Sequence, residues 1–198
     1  MTPKPSLLYH VIGAISWPLI FGLYRLKVRG LERLPRSGGY VLAANHVSNF
    51  DPWPLGLPLW PRRFLRFMAK SELYWFPLSP LLDAVGAFRV RRGQADREAL
   101  ATAVRLARDG NVIAMFPEGT RRRKGLRKKH EARPRTGAAR IALDAGVPIV
   151  PAAIRGTDRL ARFGPLRIEY GEPIEPRGTA HELTERLMAE IERLYERL

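Results

Sequence analysis

Short apolar runs alternate with segments of helical periodicity along the chain, and this alternation constrains the fold more than any other feature. Strands are predicted at residues 40–44, 64–69, 111–116, 147–154 and 167–171. Helices are predicted at residues 94–109 and 136–145, and each is followed by a glycine, Gly110 or Gly146, that ends it. Continuous apolar strands are typical of parallel sheets that helices cover on both faces. We therefore expect a single α/β domain with a mixed, mostly parallel sheet flanked by helices.

The C-terminal segment, residues 179–198, has the pattern of an amphipathic helix. Its apolar residues recur every three or four positions: Leu183, Leu187, Ile191, Leu194 and Leu198. Thr179 and Glu182 have the spacing of a capping box at the start of that helix. We expect this helix to pack on the domain through its apolar stripe and assign it no chemistry.

The N-terminal segment, residues 6–24, contains no Asp, Glu, Lys or Arg. A helix needs about 20 apolar residues to cross a bilayer, and Pro18 interrupts this run near its centre. The pattern favours an apolar helix that lies in the membrane interface, with a buried core helix and a true span as alternatives. We accordingly predict a membrane-associating segment at 1–25 and a folded domain at 26–198.

The charge balance points to a polyanionic partner. Lys and Arg number 34 against 19 Asp and Glu, which gives a net charge of +15. Such a charge suits nucleic acid, an anionic lipid surface or a phosphorylated substrate, and composition does not choose among them. The chain has no cysteine, which excludes a thiolate nucleophile, a disulfide framework and a cysteine-ligated zinc site. We expect no metal site.

A histidine and an aspartate follow the first predicted strand, in the segment NHVSNFD at 45–51. The imidazole of His46 is suited to accept a proton near neutral pH. A carboxylate from Asp51 that held the other ring nitrogen would orient the ring and stabilise the imidazolium. The alternative is structural, because Asp51 followed by Pro52 is also a favourable N-cap and first position of a helix.

A second polar segment, FPEGTR at 116–121, follows the strand predicted at 111–116. Ligands of open α/β sheets bind beyond the carboxyl ends of strands. Gly119 leaves backbone donors accessible there, and Arg121 is suited to grip a phosphate through two hydrogen bonds. A plain β-turn with a solvated tail is the alternative.

Two basic segments complete the pattern. Residues 120–135 carry nine Lys or Arg and one acid, and they would meet anionic headgroups or RNA phosphates, or simply be solvated. The loop has no interleaved aromatic residues for base stacking, which argues against sequence-reading of nucleic acid. The segment GAFRVRR at 86–92 would present arginines to an anion, or protect a strand edge by charge.

Taken together and in this order, these segments resemble the 1-acylglycerol-3-phosphate acyltransferase family. Its N-H-x-x-x-x-D signature is matched by Asn45, His46 and Asp51, and its glycine-to-arginine block by Gly86 and Arg92. FPEGTR matches the phosphate-site block residue for residue, and VPIVP at 147–151 resembles the fourth block. The resemblance covers residues 26–175. Two departures are Arg135, where relatives often have lysine, and an N-terminus that is short for a two-helix anchor.

The resemblance implies transfer of a fatty acyl group from acyl-CoA or acyl-carrier protein to the free hydroxyl of a lysophospholipid. The first choice of acceptor is 1-acyl-sn-glycerol-3-phosphate, giving phosphatidic acid, and another lysolipid or a glycolipid is the alternative. His46 would be the general base and Asp51 its orienter. The acyl donor is a co-substrate, so no resident cofactor is expected.

Five further residues would bind the acceptor by the same resemblance: Arg92, Glu118, Gly119, Thr120 and Arg121. The implied partners are the lysophospholipid, the acyl donor and an anionic membrane surface, without nucleic acid. The implied location is the cytoplasmic face of the cell membrane. Two rivals from other classes are a basic RNA-binding protein, with the loop at 120–135 as its arm, and a non-catalytic membrane protein.

Overall fold

The computed structural model describes residues 5–90, 96–118 and 134–198. Its strands are β1 (Lys27–Arg29), β2 (Tyr40–Ala44), β3 (Leu65–Lys70), β4 (Ala87–Val90), β5 (Val112–Met115), β6 (Ile149–Arg155) and β7 (Arg167–Tyr170). Its helices are α1 (Leu7–Pro18), α2 (Pro52–Gly56), α3 (Leu78–Ala84), α4 (Asp96–Arg108), α5 (Gly137–Ala145) and α6 (Ala180–Glu196).

The strands form one sheet in the order β1-β7-β6-β2-β5-β3-β4. Neighbouring strands are parallel except for β6 and β7, which are antiparallel. As a result β2, β3, β5 and β6 all end at the same edge of the sheet, which we call the carboxyl edge. The predicted fold class, a single α/β domain with a mostly parallel mixed sheet, is confirmed.

Strand β2 shows how the apolar runs build two cores. All five of its residues are buried, and alternate side chains point to opposite faces of the sheet. Tyr40, Leu42 and Ala44 pack in one core, beside residues of the N-terminal helical segment and α2. Val41 and Ala43 pack in the other core, against apolar residues of α4, α5 and α6. Burial on both faces explains why this strand is apolar throughout rather than alternating.

The predicted strands and helices are found in the structure, but their first and last residues differ by up to a few positions from the predicted ones. Each predicted strand and helix is present, and α6 begins with the expected capping box between Thr179 and Glu182. The sequence patterns did not predict β1 or α3. Strand β1 has only three residues, so it offers too short a pattern, and its place is set by pairing with β7. Helix α3 has Pro80 within seven residues, which weakens any helical pattern.

Helix α1 packs on the domain through small residues and turns large apolar residues outward. Gly13 and Ser16 are its buried residues, and a side chain at Gly13 would collide with the indole ring of Trp60. The next turn, Leu19–Leu23, buries Ile20 completely. The exposed large apolar side chains of α1 and this next turn are Leu7, Leu8, Val11, Ile15, Trp17, Leu19 and Leu23. Within the described ranges, no helix combines the length and hydropathy needed to cross a bilayer. The domain boundary at residue 25 stays a prediction.

The turn after β6 depends on Gly156, which has a φ of 100°. A Cβ at this position would lie 2.5 Å from the backbone oxygen of Pro165. We expect Gly156→Ala to lower the free energy of unfolding by at least about 1 kcal/mol, because L residues are strained at positive φ. That corresponds to a loss of at least about 2–4 °C in Tm, measured by thermal denaturation.

The matched control is Gly164→Ala, because nothing lies within 4 Å of a Cβ at Gly164. We expect that variant to melt like the parent protein. Equal melting temperatures for the two variants would show that the turn tolerates a side chain at Gly156.

Candidate active site

His46 and Asp51 meet in the loop that follows β2 at the carboxyl edge. Nδ1 of His46 lies 2.7 Å from Oδ2 of Asp51. The same carboxylate oxygen accepts hydrogen bonds from the backbone N–H groups of Val47, at 2.7 Å, and Ser48, at 2.9 Å. The structure thus brings together the two residues that the sequence placed five positions apart.

The second carboxylate oxygen is held from a distant part of the chain. The hydroxyl of Thr157 donates to Oδ1 of Asp51 at 2.6 Å, and both residues are buried. Thr157 follows β6 and lies 106 positions from Asp51 in sequence. Four donors therefore converge on one carboxylate that solvent does not reach. We call these four hydrogen bonds the Asp51 clamp.

The N-cap interpretation of Asp51 holds for its position in the chain but not for its side chain. Asp51 does precede α2, and Pro52 does occupy the first helical position, but the carboxylate makes no capping hydrogen bond. The Asp51 backbone is already helical, with φ −52° and ψ −40°, whereas an N-cap residue is normally extended. The side chain instead turns back toward the loop that carries His46.

The Asp51 clamp fixes the tautomer of His46. A carboxylate that accepts bonds from two amides and a hydroxyl acts toward the imidazole as an acceptor too, so Nδ1 carries the proton in this contact. The other ring nitrogen, Nε2, is then the acceptor of the neutral ring. The ring also stacks on Phe116 at 4.3 Å between centroids and 23° between planes. Only 19% of the His46 side chain is exposed, so the imidazole has little freedom to rotate away.

Asn45 fastens the same loop to β6. Its side-chain nitrogen donates to the carbonyl oxygen of Ile154 at 2.9 Å, and the Ile154 N–H donates to its side-chain oxygen at 2.8 Å. Asn45 directly follows the last residue of β2, and its side-chain amide pairs with the backbone of Ile154 in β6. Asn45 therefore fixes the start of the loop that carries His46.

Helix α2 is held in place by a buried tyrosine. The Tyr170 hydroxyl donates to the carbonyl oxygen of Leu55 at 2.8 Å. Burial raises the pKa of Tyr170 well above its usual value, so this hydroxyl remains a donor across the physiological range. The bond links β7 to the helix that begins directly after Asp51.

The predicted acceptor-binding residues lie at the limits of the described structure. Glu118 is described and is half-buried beyond the end of β5. Arg92, Gly119, Thr120 and Arg121 lie outside the described residues, as does most of the basic loop at 120–135.

A hydrogen bond joins Arg135, the last residue of that loop, to a residue that follows β5. The N–H of Arg135 donates to the carbonyl oxygen of Pro117 at 2.8 Å, so the chain returns to the place where it left β5. Arg135 therefore lies near the end of β5, where the ring of Phe116 stacks on His46.

Comparisons with known proteins identify the family. A sequence model of the family described as Acyltransferase matches residues 25–155. The chain belongs to this acyltransferase family. The predicted resemblance is therefore confirmed, and the RNA-binding and non-catalytic membrane alternatives are set aside.

Individual relatives agree with this assignment of the acyltransferase. The 1-acyl-sn-glycerol-3-phosphate acyltransferase of Bacillus subtilis (strain 168) is 32% identical over 180 residues, covering 87% of this chain and 86% of the relative. The Haemophilus influenzae protein of the same name is 30% identical over 198 residues, covering 87% and 79%. The crystal structure of the 1-acyl-sn-glycerophosphate (LPA) acyltransferase PlsC from Thermotoga maritima superposes with a TM-score of 0.69 at 27% identity. It covers 93% of this chain and 76% of that one.

Sequence reasoning missed Thr157 and the stacking role of Phe116. No local pattern points to Thr157, because its partner lies in another loop. The one available signal was its position, a hydroxyl residue directly after a buried strand whose end lies at the carboxyl edge.

The Asp51 clamp makes a specific prediction for Asp51→Asn. The amide oxygen can replace Oδ2 toward the ring and the two N–H groups, while the amide nitrogen donates to the Thr157 hydroxyl, which also accepts. We expect the free energy of unfolding to change by less than about 1.5 kcal/mol and acyl transfer to fall by about ten- to a hundredfold. The rate falls because the imidazolium loses its charged partner.

Denaturant unfolding and thiol-release kinetics measure the two quantities. The control is Asp109→Asn, on an exposed residue just after α4, which should change neither. An unchanged rate in Asp51→Asn would show that the Asp51 charge plays no part in the reaction.

Proposed function

We propose that this acyltransferase moves a fatty acyl group from a thioester to the free hydroxyl of 1-acyl-sn-glycerol-3-phosphate, giving phosphatidic acid. The observation that carries the proposal is the contact of 2.7 Å between His46 Nδ1 and the buried Asp51 carboxylate. It leaves Nε2 as a base in a loop at the carboxyl edge. The names of the relatives in Bacillus subtilis and Haemophilus influenzae support this acceptor.

In the proposed reaction His46 is the general base. Nε2 takes the proton from the acceptor hydroxyl as its oxygen attacks the thioester carbonyl carbon. A C–O bond forms and the C–S bond breaks, and the leaving thiolate takes the proton back from the imidazolium. Asp51 stabilises the imidazolium while the proton resides on the ring. The hydroxyl attacks directly, and the absence of cysteine removes a cysteinyl acyl-enzyme as a competing route.

The acceptor's phosphate would be bound by the segment that follows β5 and by the arginine that follows β4. These are Glu118, Gly119, Thr120, Arg121 and Arg92. Strands β4 and β5 both run parallel to β3, so the two segments leave the sheet at the carboxyl edge, as does the loop that carries His46. Arginine side chains bind phosphate oxygens in a bidentate manner, which makes them suited to a phosphate monoester.

The donor is acyl-CoA or acyl-carrier protein, acting as a co-substrate, and no resident cofactor or metal takes part in the proposal. Both donors present the same acyl thioester. Thiol release from each donor, assayed with a panel of lysolipids, identifies the donor and the acceptor headgroup together.

The membrane contact that we propose is the outward face of α1. This face carries large apolar side chains such as Val11 and Ile15, whereas the inward face packs on the domain through Gly13 and Ser16. A helix with an apolar face turned to solvent lies in the interface plane of a bilayer. The proposed location is the cytoplasmic face of the cell membrane, where the basic loop at 120–135 would add attraction to anionic lipid.

The base is tested by His46→Ala. We expect acyl transfer to fall by at least the 10²–10⁴-fold typical of general acid–base catalysis. The matched control is His181→Ala, an exposed histidine on α6, which should retain the parent rate. Circular dichroism and thermal denaturation establish that both variants are folded. A folded His46→Ala enzyme with nearly parental turnover would contradict the mechanism.

The anion site is tested by Arg92→Ala and Arg121→Ala. We expect each to raise KM for the phosphate-bearing acceptor by about tenfold, with a smaller effect on KM for the donor, because a charge-assisted contact to phosphate is lost. Arg105→Ala is the control, since Arg105 is exposed on α4. A rise confined to the donor's KM would reassign these arginines to donor binding.

The membrane contact is tested by the double substitution Val11→Glu and Ile15→Glu. Both side chains are exposed, so folding should be unaffected. We expect binding to vesicles of anionic phospholipid to weaken at least about tenfold, because two apolar side chains no longer enter the lipid. Truncation is unsuitable, since removing residues 1–24 also removes the buried Ile20.

Vesicle sedimentation measures this affinity, and Ala101→Glu on α4 controls for the added charge. Parental binding by the double variant would contradict the assignment of α1.

A further inference from the structure

Exposed aromatic residues occur in loops that leave the sheet at the carboxyl edge. Two of them, Phe50 and Trp53, follow β2 and flank Asp51 in sequence. Two more, Trp75 and Phe76, follow β3 and are 59% and 85% exposed. The fifth, Phe163, comes after β6 and is also exposed. We call these five residues the aromatic rim.

The distribution of these side chains is uneven. Among the described residues, every exposed Phe or Trp belongs to the aromatic rim except Trp17, which lies on α1. The other Phe and Trp residues are buried or half-buried. Scattered apolar side chains on a surface need no explanation, whereas a contiguous apolar patch marks an interaction surface.

The segment that follows α1 reaches the aromatic rim. Strand β1 runs opposite to β6, because β1 is parallel to β7 and β7 is antiparallel to β6. The segment that leads from α1 into β1 therefore reaches the carboxyl edge. There Tyr24 contacts Phe163, with 5.8 Å between ring centroids. The segment that follows α1 thus contacts the aromatic rim at Phe163.

Positive charge accompanies the aromatic side chains. Arg159 and Arg162 are exposed in the turn that leads to Phe163, and Arg25 and Lys27 are exposed beside Tyr24. Tryptophan and basic side chains together are typical of surfaces that sit at the headgroup level of a bilayer. These groups favour a bilayer over a protein partner, because a second protein would have to match apolar and cationic side chains on three separate loops.

We propose that the aromatic rim enters the headgroup layer of an anionic phospholipid bilayer, so that the site containing His46 opens directly into the lipid interface. The inference rests on the proposed function and adds a second membrane contact to that of α1. It places the acceptor's hydroxyl, which lies at headgroup depth, level with the loop that carries His46.

The four tryptophans of the chain provide the test, since two lie in the rim, one on α1 and one in the domain. Single-tryptophan variants keep Trp17, Trp53, Trp60 or Trp75 and replace the other three by phenylalanine. Each is mixed with anionic vesicles whose acyl chains carry bromine, and fluorescence is compared with that in unbrominated vesicles. Trp60 is the control, because its indole nitrogen is buried and its ring packs against Gly13.

We expect bromine to quench Trp53, Trp75 and Trp17 and to leave Trp60 unchanged. Quenching of Trp17 alone would overturn the proposal and leave α1 as the membrane contact. Absence of quenching together with self-association in sedimentation would also overturn it, because the rim would then contact a second copy.

Kinetics separate this inference from the proposed function. We expect Trp75→Ser with Phe76→Ser to lower transfer to a long-chain acceptor in vesicles by about tenfold. Transfer to a short-chain acceptor dissolved as monomers should not change. Leu31→Ser is the control, an exposed apolar residue after β1 at the opposite edge. Equal losses with both acceptors would overturn the rim's role. A parent protein that acylates no lysophosphatidate would refute the proposed function, while the quenching experiment would still decide the membrane contact.

An independent observation concerns Thr157. Its hydroxyl is buried and donates to Oδ1 of Asp51 at 2.6 Å. This bond joins the loops after β2 and β6, which Asn45 also joins through the Ile154 backbone. We infer that Thr157 is a positioning residue, which orients the Asp51 carboxylate so that its other oxygen receives His46.

The test compares Thr157→Val with Thr157→Ser. Valine has the same shape without the hydroxyl, so we expect kcat to fall about ten- to a hundredfold, as for loss of a hydrogen bond to a charged group, with KM nearly unchanged for both substrates. Serine keeps the donor and should restore most of kcat, even if both variants melt earlier. If Thr157 only fills space, the loss of kcat should instead parallel the loss of thermal stability in both variants. Serine should then restore no more of kcat than valine does. That result would overturn the inference.

Discussion

One buried carboxylate organises the site. Asp51 accepts four hydrogen bonds, from the His46 ring, two backbone N–H groups and the Thr157 hydroxyl. An unpaired carboxylate in this place would be very costly, and the four donors make its burial possible. Because the donors come from two loops, the carboxylate also ties the end of β2 to the end of β6. The same four hydrogen bonds therefore orient the imidazole and hold the two loops together at the carboxyl edge.

The sheet and the lipid-facing surfaces follow from the same topology. Parallel strands bring the loops after β2, β5 and β6 to one edge, where His46, Phe116 and Thr157 meet. The antiparallel step between β6 and β7 reverses the direction of β1 and so brings the end of the N-terminal helical segment to that edge. In the proposal, the apolar face of α1 and the aromatic rim then meet the bilayer on the side where the acceptor is bound. Substrate capture and membrane contact would use one surface.

The apolar strands, the longer helices and the candidate base could be predicted from the sequence, because each has a local pattern, whereas the three-residue β1 has none. β2 is a buried apolar run, α6 has a stripe and a capping box, and His46 and Asp51 are close in sequence. The sequence could not show whether the Asp51 carboxylate caps α2 or holds His46. The answer depends on a hydrogen bond from Thr157, which is distant in the chain. The packing of α1 through Gly13 was equally hidden, because hydropathy reports how apolar a helix is and not which face meets the domain.

The central claim is that Asp51 holds His46 with the proton on Nδ1 and leaves Nε2 as the base. Nitrogen NMR of protein labelled with ¹⁵N-histidine reports this directly, with the His46 signals assigned by their loss in His46→Gln. At a pH where the ring is neutral, we expect a protonated Nδ1 and an unprotonated Nε2 for His46. An unprotonated Nδ1 with the proton on Nε2 would contradict it, because Nε2 would then have no lone pair with which to take the proton of the acceptor hydroxyl.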